Sequence, residues 1–325
     1  MYDIRHGKGT GMASRVRGRL RRTLLGMLVA ASVAVPVAGA ARPAAVPAPA
    51  PSALPPLTAA TPADLDMRYA ARRADIRAAE RTAAGHGDRR RAAALRDMAA
   101  PSRQFLSFDG RDGGRSVEVF GALSRAARVA VLVPGSDTSL DRYGRLRAGA
   151  VALERQLGRQ GAVVAWLGYE TPGTVSPEVL TAGRADRAAP RLASFVRELS
   201  TAAPRARISL LCHSYGSLVC SRAASGLAVA DIVLYGSPGA GADSVGQLHT
   251  RAAVWAGRGA HDWIADVPHV RIPLLVTTVG LGTDPVSKGF GARSFDAGDG
   301  GHSDYLKPGS VSLRSLARIV GDGHA

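Results

Sequence analysis

The sequence is poor in cysteine, lysine and aromatic residues. Two of its 325 residues are cysteines, three are lysines, and aromatic residues make up 5% of the chain. Two cysteines exclude a small scaffold stabilised by a framework of disulfides. They are Cys212 and Cys220, and because they fall on a predicted strand and on the helix that follows it, we expect them to lie too far apart for a bridge.

Acidic residues are outnumbered by basic ones. The chain has 26 Asp and Glu against 42 Lys and Arg, which gives a formal net charge of +16. The first 100 residues carry +10 of this charge, so the remaining 225 residues are only mildly basic. No motif that reads a nucleic-acid groove accompanies the charge, and we therefore expect no nucleic-acid partner. Hydrophobic residues make up 46% of the sequence, which is enough for a sizeable core.

The N-terminus has the three-part pattern of a secretory signal. Five arginines in residues 15–22 precede the apolar run Leu24–Val37, and small residues follow at 38–40. The run is shorter than the roughly 18–20 apolar residues that a membrane span needs, and Pro36 interrupts it. We predict cleavage near residue 40, no stable membrane span afterwards, and secretion by the Sec route or, because an Arg-Arg pair precedes the run, by the twin-arginine route.

Composition divides the chain into four segments. Residues 1–40 are the predicted signal peptide, and residues 41–60 are an Ala- and Pro-rich linker. Residues 61–100 begin with a Thr-Pro helix start and continue as helical sequence with a thin apolar face. We interpret them as a helical appendage without a core of its own. Residues 101–325 form the main domain.

The main domain alternates short β-rich runs with helical periodicity, which is typical of strands joined by crossover helices. The run Val129–Val133 is apolar throughout and suits the buried centre of a parallel sheet. The predicted fold class is therefore α/β, with a doubly wound, mostly parallel sheet. The predicted strands are Ser116–Phe120, Arg128–Val133, Ala162–Leu167, Arg207–Cys212, Asp231–Gly236, Ala252–Ala256, Leu274–Val279 and Ala292–Phe295, with helices around residues 146–157 and 192–199.

The most specific motif lies at the end of the predicted strand Arg207–Cys212. The residues C-H-S-Y-G read as strand, abrupt turn and helix, which is the context that makes a G-x-S-x-G pattern a nucleophile elbow. Strand and helix approach closely there, so small residues are needed two positions before and after the serine. Gly216 fits this requirement, and Cys212 departs from glycine but is small. The motif predicts that Ser214 is a nucleophile and that His213 is a packing residue.

A serine nucleophile needs a histidine that accepts its proton and an acid that orients the histidine. In this architecture the chain order is Ser, acid, His. His302, in a Gly-rich segment near the C-terminus, is the candidate base. Asp262, just beyond a predicted strand end, is the candidate acid, and Asp243, Asp266 and Asp284 remain alternatives.

An anionic tetrahedral intermediate needs preorganised backbone donors, usually two. We predict that these are the amides of Tyr215, which follows the nucleophile, and Ser136, in the V-P-G-S-D-T loop after an early strand. Asp137, Trp263 and Tyr305 are candidate substrate-binding residues. The acidic residues near the candidate base match no established metal-binding loop, so we predict neither a metal nor a cofactor.

Several motifs together resemble an actinobacterial α/β-hydrolase family of unknown function. They are V-P-G-S-D-T at 133–138, C-H-S-Y-G-S at 212–217, Y-G-S-P-G at 235–239, D-W-I at 262–264, G-F-G-A-R at 289–293 and G-H-S-D-Y-L at 301–306. The similarity covers residues 103–306. It implies the α/β-hydrolase fold for the main domain and a Ser-His-Asp site at Ser214, His302 and Asp262, but it implies no substrate.

The motifs and the resemblance predict a secreted serine hydrolase that cleaves a small-molecule or lipid-like ester through an acyl-enzyme. Two alternatives remain open. One is an acyltransferase or a peptidase that uses the same triad, and the other is a non-catalytic surface or binding protein that retains the fold. The sequence makes no prediction of oligomeric state.

Overall fold

The computed structural model describes residues 46–267, 272–273, 278–279 and 281–322. The strands are β1 (Gln104–Asp109), β2 (Arg115–Phe120), β3 (Arg128–Val133), β4 (Gly161–Leu167), β5 (Arg207–His213), β6 (Asp231–Tyr235), β7 (Ala253–Gly257), β8 (Ile272–Pro273), β9 (Thr278–Val279) and β10 (Arg293–Ser294). The α-helices are α1 (Pro62–Gly85), α2 (Arg89–Met98), α3 (Gly144–Leu157), α4 (Gly183–Ala202), α5 (Gly216–Ala223) and α6 (Val311–Asp322).

Eight of the strands form one sheet in the order β1-β2-β4-β3-β5-β6-β7-β10. The pairs β1–β2 and β2–β4 are antiparallel, and all other pairs in this sheet are parallel. The strand order reverses direction around β3, whose neighbours are β4 on one side and β5 on the other. In an open α/β sheet, such a switch point places the functional crevice at the carboxyl ends of the strands.

The core has two layers, one on each face of the sheet. Strand β3 shows the division, because Val129 and Val131 point into one layer while Ala130 and Leu132 point into the other. Helices α4 and α5 pack in the first layer, and α3 and α6 pack in the second. A strand that is buried on both faces needs apolar residues at every position, which explains the unbroken run in β3.

The predicted central strands agree with the structure to within about one residue at each end. Both predicted helices of the main domain are also present, as α3 and α4. Strand β1 was not predicted, because a register irregularity between Phe105 and Ser107 breaks the alternation of its buried residues.

Some predicted segments lie partly or wholly outside the described residues. The signal peptide at 1–40 lies outside them entirely. Of the predicted strand Leu274–Val279, only the last two residues are described, and they pair with Ile272–Pro273 in a separate short ladder.

The helical segment before the sheet packs onto the main domain. Helix α1 begins where predicted, with the hydroxyl of Thr61 accepting a hydrogen bond from the amide of Asp64 at 3.2 Å. Leu65 and Tyr69 of this helix join the first core layer, whereas Ile76 joins the second. The appendage therefore shares the core of the sheet and has none of its own.

Residues 46–60, the described part of the predicted linker, have no regular secondary structure but are held by hydrogen bonds. The amide of Leu57 donates to Oε1 of Glu198 at 2.6 Å, and the amide of Ala60 donates to the carbonyl of Ala202 at 2.9 Å. Both acceptors lie on α4, so this stretch is fixed to the domain. Among the described residues, none of the helices has the length and apolar character needed to cross a membrane.

Candidate active site

Ser214 lies at a sharp turn between β5 and α5. Its φ angle of +52° is in the left-handed region, and its amide donates to the carbonyl of Tyr235 on the neighbouring strand at 3.0 Å. A Cβ atom on Gly216 would lie 2.5 Å from the carbonyl oxygen of Val133, so no larger residue fits at this position. The turn thus has the conformation and the close strand-to-helix packing of a nucleophile elbow.

The expectation that Cys212 and Cys220 stay unbridged is wrong. They form a disulfide with a Cα–Cα distance of 6.4 Å, within the range that a disulfide spans. The sharp turn at Ser214 packs the short helix α5 against β5. Cys220 on the helix therefore lies beside Cys212 on the strand. Cys212, which stands where glycine is expected two positions before the serine, therefore links the strand of the elbow covalently to its helix.

The structure brings Ser214, His302 and Asp262 together. Nε2 of His302 lies 2.9 Å from Oγ of Ser214, and Nδ1 lies 2.8 Å from Oδ1 of Asp262. Because a carboxylate only accepts hydrogen bonds, Nδ1 carries the proton, and Nε2 is left to accept one from the serine hydroxyl. This is the geometry of a nucleophile, a general base and an orienting acid.

The alternative acids do not contact His302. Asp284 pairs with Arg258 at 2.7 Å, and Asp243 accepts from Thr283 at 3.4 Å. Asp266 lies at the exposed end of a short helical turn. Of the four candidates, only Asp262 reaches the imidazole.

Three donors surround the Asp262 carboxylate, which is almost fully buried. Besides His302, the hydroxyl of Tyr305 donates to Oδ2 at 2.5 Å and the amide of Ile264 donates to Oδ1 at 2.9 Å. Burial alone raises the pKa of Asp262, but the hydrogen bonds from these three donors outweigh it and hold the pKa below its ordinary value. The carboxylate therefore remains ionised beside the imidazole.

Tyr305 has a second role that the sequence did not indicate. It was predicted to bind substrate, but its hydroxyl accepts a hydrogen bond from the amide of Gly259 at 3.0 Å while donating to Asp262. Burial, followed by the bond to Asp262, raises the pKa of Tyr305, so it stays a donor. The tyrosine thus holds Oδ2 of the carboxylate, whereas Nδ1 of His302 lies nearer to Oδ1.

We expect Tyr305→Phe to lower kcat by about tenfold, because it removes one hydrogen bond to a charged group from the acid. The same change removes a donor that lowers the pKa of Asp262, so the pKa of that carboxyl rises. The measurement is steady-state hydrolysis of a p-nitrophenyl ester at neutral pH by the wild-type protein and the variant. Tyr143→Phe, which removes a buried hydroxyl beside Glu118 on β2, is the matched control and should keep the wild-type kcat. An unchanged kcat in a folded Tyr305→Phe protein would contradict this role.

The loop after β3 approaches the nucleophile closely. A Cβ atom on Gly135 would lie 2.6 Å from Cβ of Ser214 and 3.1 Å from its Oγ, so glycine is required there. The next amide in the chain is that of Ser136, one of the two predicted oxyanion donors. The other, the amide of Tyr215, follows the nucleophile directly, and the Tyr215 side chain is anchored by donating to the carbonyl of Thr181 at 2.7 Å.

Asp137 and Trp263 are the remaining residues predicted to bind substrate. Asp137 accepts hydrogen bonds from the hydroxyl and the amide of Thr174 at 2.5 and 3.2 Å, so its carboxylate connects two loops. The Trp263 ring lies 4.8 Å from the His302 ring and is 48% exposed. It forms the outer wall of the site beside the imidazole.

His213 is a further contact of the site that sequence reasoning missed. The elbow motif predicts a packing role for it, and its ring does lie against that of His302, with centroids 4.7 Å apart and planes tilted by 40°. Its Nε2 also lies 2.8 Å from the carbonyl oxygen of His302 and donates to it. Burial lowers the pKa of His213 to about 3, with the neighbouring His302 adding to the effect, so the ring is neutral. No sequence motif could predict this bond, because it joins residues 89 positions apart.

A cavity of about 320 Å³ lies against His302. Its floor is formed by the ends of β3, β5 and β6, one side by the start of α3, and the other side by the segment that follows His302. Its walls include Leu132, Val133, Pro134, Leu146, Gly149, His213, Tyr235, Tyr305, Leu306 and Pro308, with Arg145, Asp304 and Lys307 among the polar residues. Among the described residues, no group of three or more His, Cys, Asp or Glu is arranged to hold a metal ion.

A mostly parallel sheet with helices on both faces and a Ser-His-Asp arrangement at its carboxyl edge defines the alpha/beta hydrolase fold. The chain belongs to the alpha/beta hydrolase family, which it matches over residues 109–272.

Comparison with individual proteins gives relatives of similar sequence in mycobacteria. The uncharacterized protein Rv2079 of Mycobacterium tuberculosis is 30% identical over 253 residues, covering 67% of this chain and 38% of the relative. The uncharacterized protein Rv0963c of the same organism is 33% identical over 190 residues, covering 54% of this chain and 67% of the relative. The chain thus spans well under half the length of Rv2079.

Among solved structures, an α/β serine hydrolase without lid from Xanthomonas campestris is similar over 69% of this chain and 94% of its own, with 19% sequence identity and a TM-score of 0.41.

Proposed function

We propose that the protein is a serine hydrolase that cleaves carboxylic esters through an acyl-enzyme on Ser214. The observation that carries this proposal is the continuous chain of hydrogen bonds from Ser214 through His302 to Asp262. The strained turn at the nucleophile and the approach of the Gly135 loop support it as well.

The geometry supports a two-step reaction. His302 accepts the hydroxyl proton as Oγ of Ser214 attacks the ester carbonyl, and the oxyanion that forms is held by the amides of Tyr215 and Ser136. His302 then gives the proton to the departing alcohol, which leaves an acyl group on the serine. In the second step water attacks the acyl group while His302 takes its proton. His302 then returns the proton to Ser214 as the carboxylic acid leaves. Asp262 stays ionised throughout and stabilises the imidazolium.

Acid-quenched turnover tests the acyl-enzyme. We expect a p-nitrophenyl ester to give a burst of about one nitrophenol per protein molecule, followed by a slower steady rate. Intact-mass spectrometry of the quenched sample should show the added acyl group in the wild-type protein and not in Ser214→Ala. Hydrolysis at wild-type rate by a folded Ser214→Ala variant would contradict the proposal. A competing alcohol in the reaction distinguishes an acyltransferase, because the alcohol would then appear in a new ester.

We also propose that the protein is exported. The arginine-rich and apolar pattern at the N-terminus supports export. The disulfide between Cys212 and Cys220 adds independent support, because disulfides persist in oxidising compartments outside the cytoplasm.

A further inference from the structure

The cavity beside His302 has a definite relation to the two halves of an ester. In the proposed reaction the departing oxygen takes its proton from Nε2 of His302, so the alcohol half must lie next to that imidazole. The carbonyl oxygen instead points at the amides of Tyr215 and Ser136. Among the described residues, the cavity walls include His302 but neither of these two donors.

We propose that this cavity binds the alcohol half of the substrate, an inference that rests on the proposed ester hydrolysis. His302 and the segment after it form the wall against which the departing oxygen would lie. His213, the residue before the nucleophile, lies at the floor of the cavity and holds the carbonyl of His302. The alcohol would therefore leave beside the imidazole that protonates it.

The chemistry of the walls defines the class of alcohol. The floor includes the buried residues Leu132, Val133 and Tyr235, and the partly buried His213 beside them is neutral. An uncharged apolar floor favours an apolar group, since a charge would lose its hydration there. The mouth carries Arg145 and Lys307 together with Asp304, so charges of both signs border it. The cavity thus favours an uncharged, apolar alcohol.

The volume limits the size of that group. At about 320 Å³, the cavity is at the lower end of the roughly 300–1,000 Å³ that ligand pockets occupy. Such a volume suits a compact alcohol, of the size of one or two fused rings. The preferred substrates are therefore carboxylic esters of compact apolar alcohols.

Leu146 offers a way to change this cavity without touching the triad. It lines the cavity from α3 and is partly buried, so Leu146→Trp fills the space and Leu146→Ala enlarges it. Arg147→Trp places the same large side chain on the next, exposed position of the helix, which is outside the walls, and is the matched control.

The test uses phenyl acetate and naphthyl acetate, which share one acyl group and differ in the alcohol. All acetate esters pass through the same acetyl-enzyme, so only the acylation step senses the alcohol. We expect Leu146→Trp to lower kcat/KM for naphthyl acetate by about tenfold or more relative to phenyl acetate. We expect Leu146→Ala to shift the ratio the other way, and Arg147→Trp to leave it unchanged. The rate at which the acetyl-enzyme hydrolyses should be the same in all four proteins.

Three results would overturn the assignment. An unchanged naphthyl-to-phenyl ratio in both Leu146 variants would mean that the alcohol does not enter the cavity. A changed preference for acyl length, with altered hydrolysis of the acyl-enzyme, would place the acyl half there instead. If the wild-type protein forms no acyl-enzyme and does not react with a fluorophosphonate, the ester-hydrolase function fails, and the alcohol site fails with it.

Discussion

Replacement of His302 by Ala is expected to lower kcat/KM for ester hydrolysis by roughly 10⁴- to 10⁶-fold. Without the imidazole, no other described side chain is hydrogen-bonded to Ser214 Oγ to accept its proton or to protonate the leaving alcohol. His213 cannot substitute, because its Nε2 donates to the backbone and burial keeps its pKa at about 3. Steady-state kinetics on a p-nitrophenyl ester, beside a thermal melt that shows the variant is folded, measure the effect.

His261→Ala is the matched control for this loss. His261 precedes the candidate acid, but its ring is exposed and its Nδ1 lies 2.5 Å from the carbonyl oxygen of Asp299. We expect the control to retain wild-type activity within about twofold, because no step uses this imidazole. Wild-type turnover by a folded His302→Ala protein would remove His302 from the reaction.

The second large effect is expected from Asp262→Asn, which should lower kcat by about 10⁴-fold while the fold is preserved. An amide can donate to Nδ1 of His302, and the imidazole then carries its proton on Nε2, where it cannot accept one from Ser214. The amide also loses the negative charge that stabilises the imidazolium. Kinetics and melting measurements on the purified variant test this expectation.

Asp266→Asn is the control for the acid. Asp266 lies four residues further along the same connection and is exposed, so its neutralisation should leave kcat unchanged. If Asp262→Asn were active at the wild-type level, the acid would have to be sought among Asp243, Asp266 and Asp284, none of which contacts His302 in this structure.

The sheet could be predicted from sequence because its central strands are buried on both faces. Val129–Val133 is apolar at every position, and the structure places these residues in the two core layers alternately. Strand β1 lacked such a signal, since its apolar residues Phe105, Leu106 and Phe108 form neither an unbroken run nor a regular alternation, although all three are buried. An alternation of one buried and one exposed residue is therefore absent there.

The three residues proposed for catalysis could be located because each lies just beyond a strand or in a Gly-rich loop at the same edge of the sheet. Parallel strands bring their carboxyl ends together, so a position after a strand end already limits where a side chain can reach. All four candidate acids satisfy the chain order, and the position of Asp262 just beyond a predicted strand end favoured it over the others. The structure places its Oδ1 2.8 Å from Nδ1 of His302.

The supporting contacts could not be predicted, because they depend on distant segments of the chain. The bond from His213 to the carbonyl of His302 and the bond from Tyr305 to Asp262 both join residues far apart in sequence. The disulfide was missed for another reason. Its two cysteines are only eight residues apart, but whether they meet depends on how sharply the chain turns at Ser214.

Fluorophosphonate labelling of the purified protein measures most directly whether Ser214 is an activated nucleophile. Such a probe phosphonylates a serine only when a base has taken its proton and donors hold the resulting oxyanion. We expect one adduct, at Ser214, with labelling lost in a folded Ser214→Ala variant and strongly slowed in His302→Ala. A folded wild-type protein that takes up no probe, or one that is labelled equally well after Ser214→Ala, would contradict the assignment of Ser214 as the nucleophile.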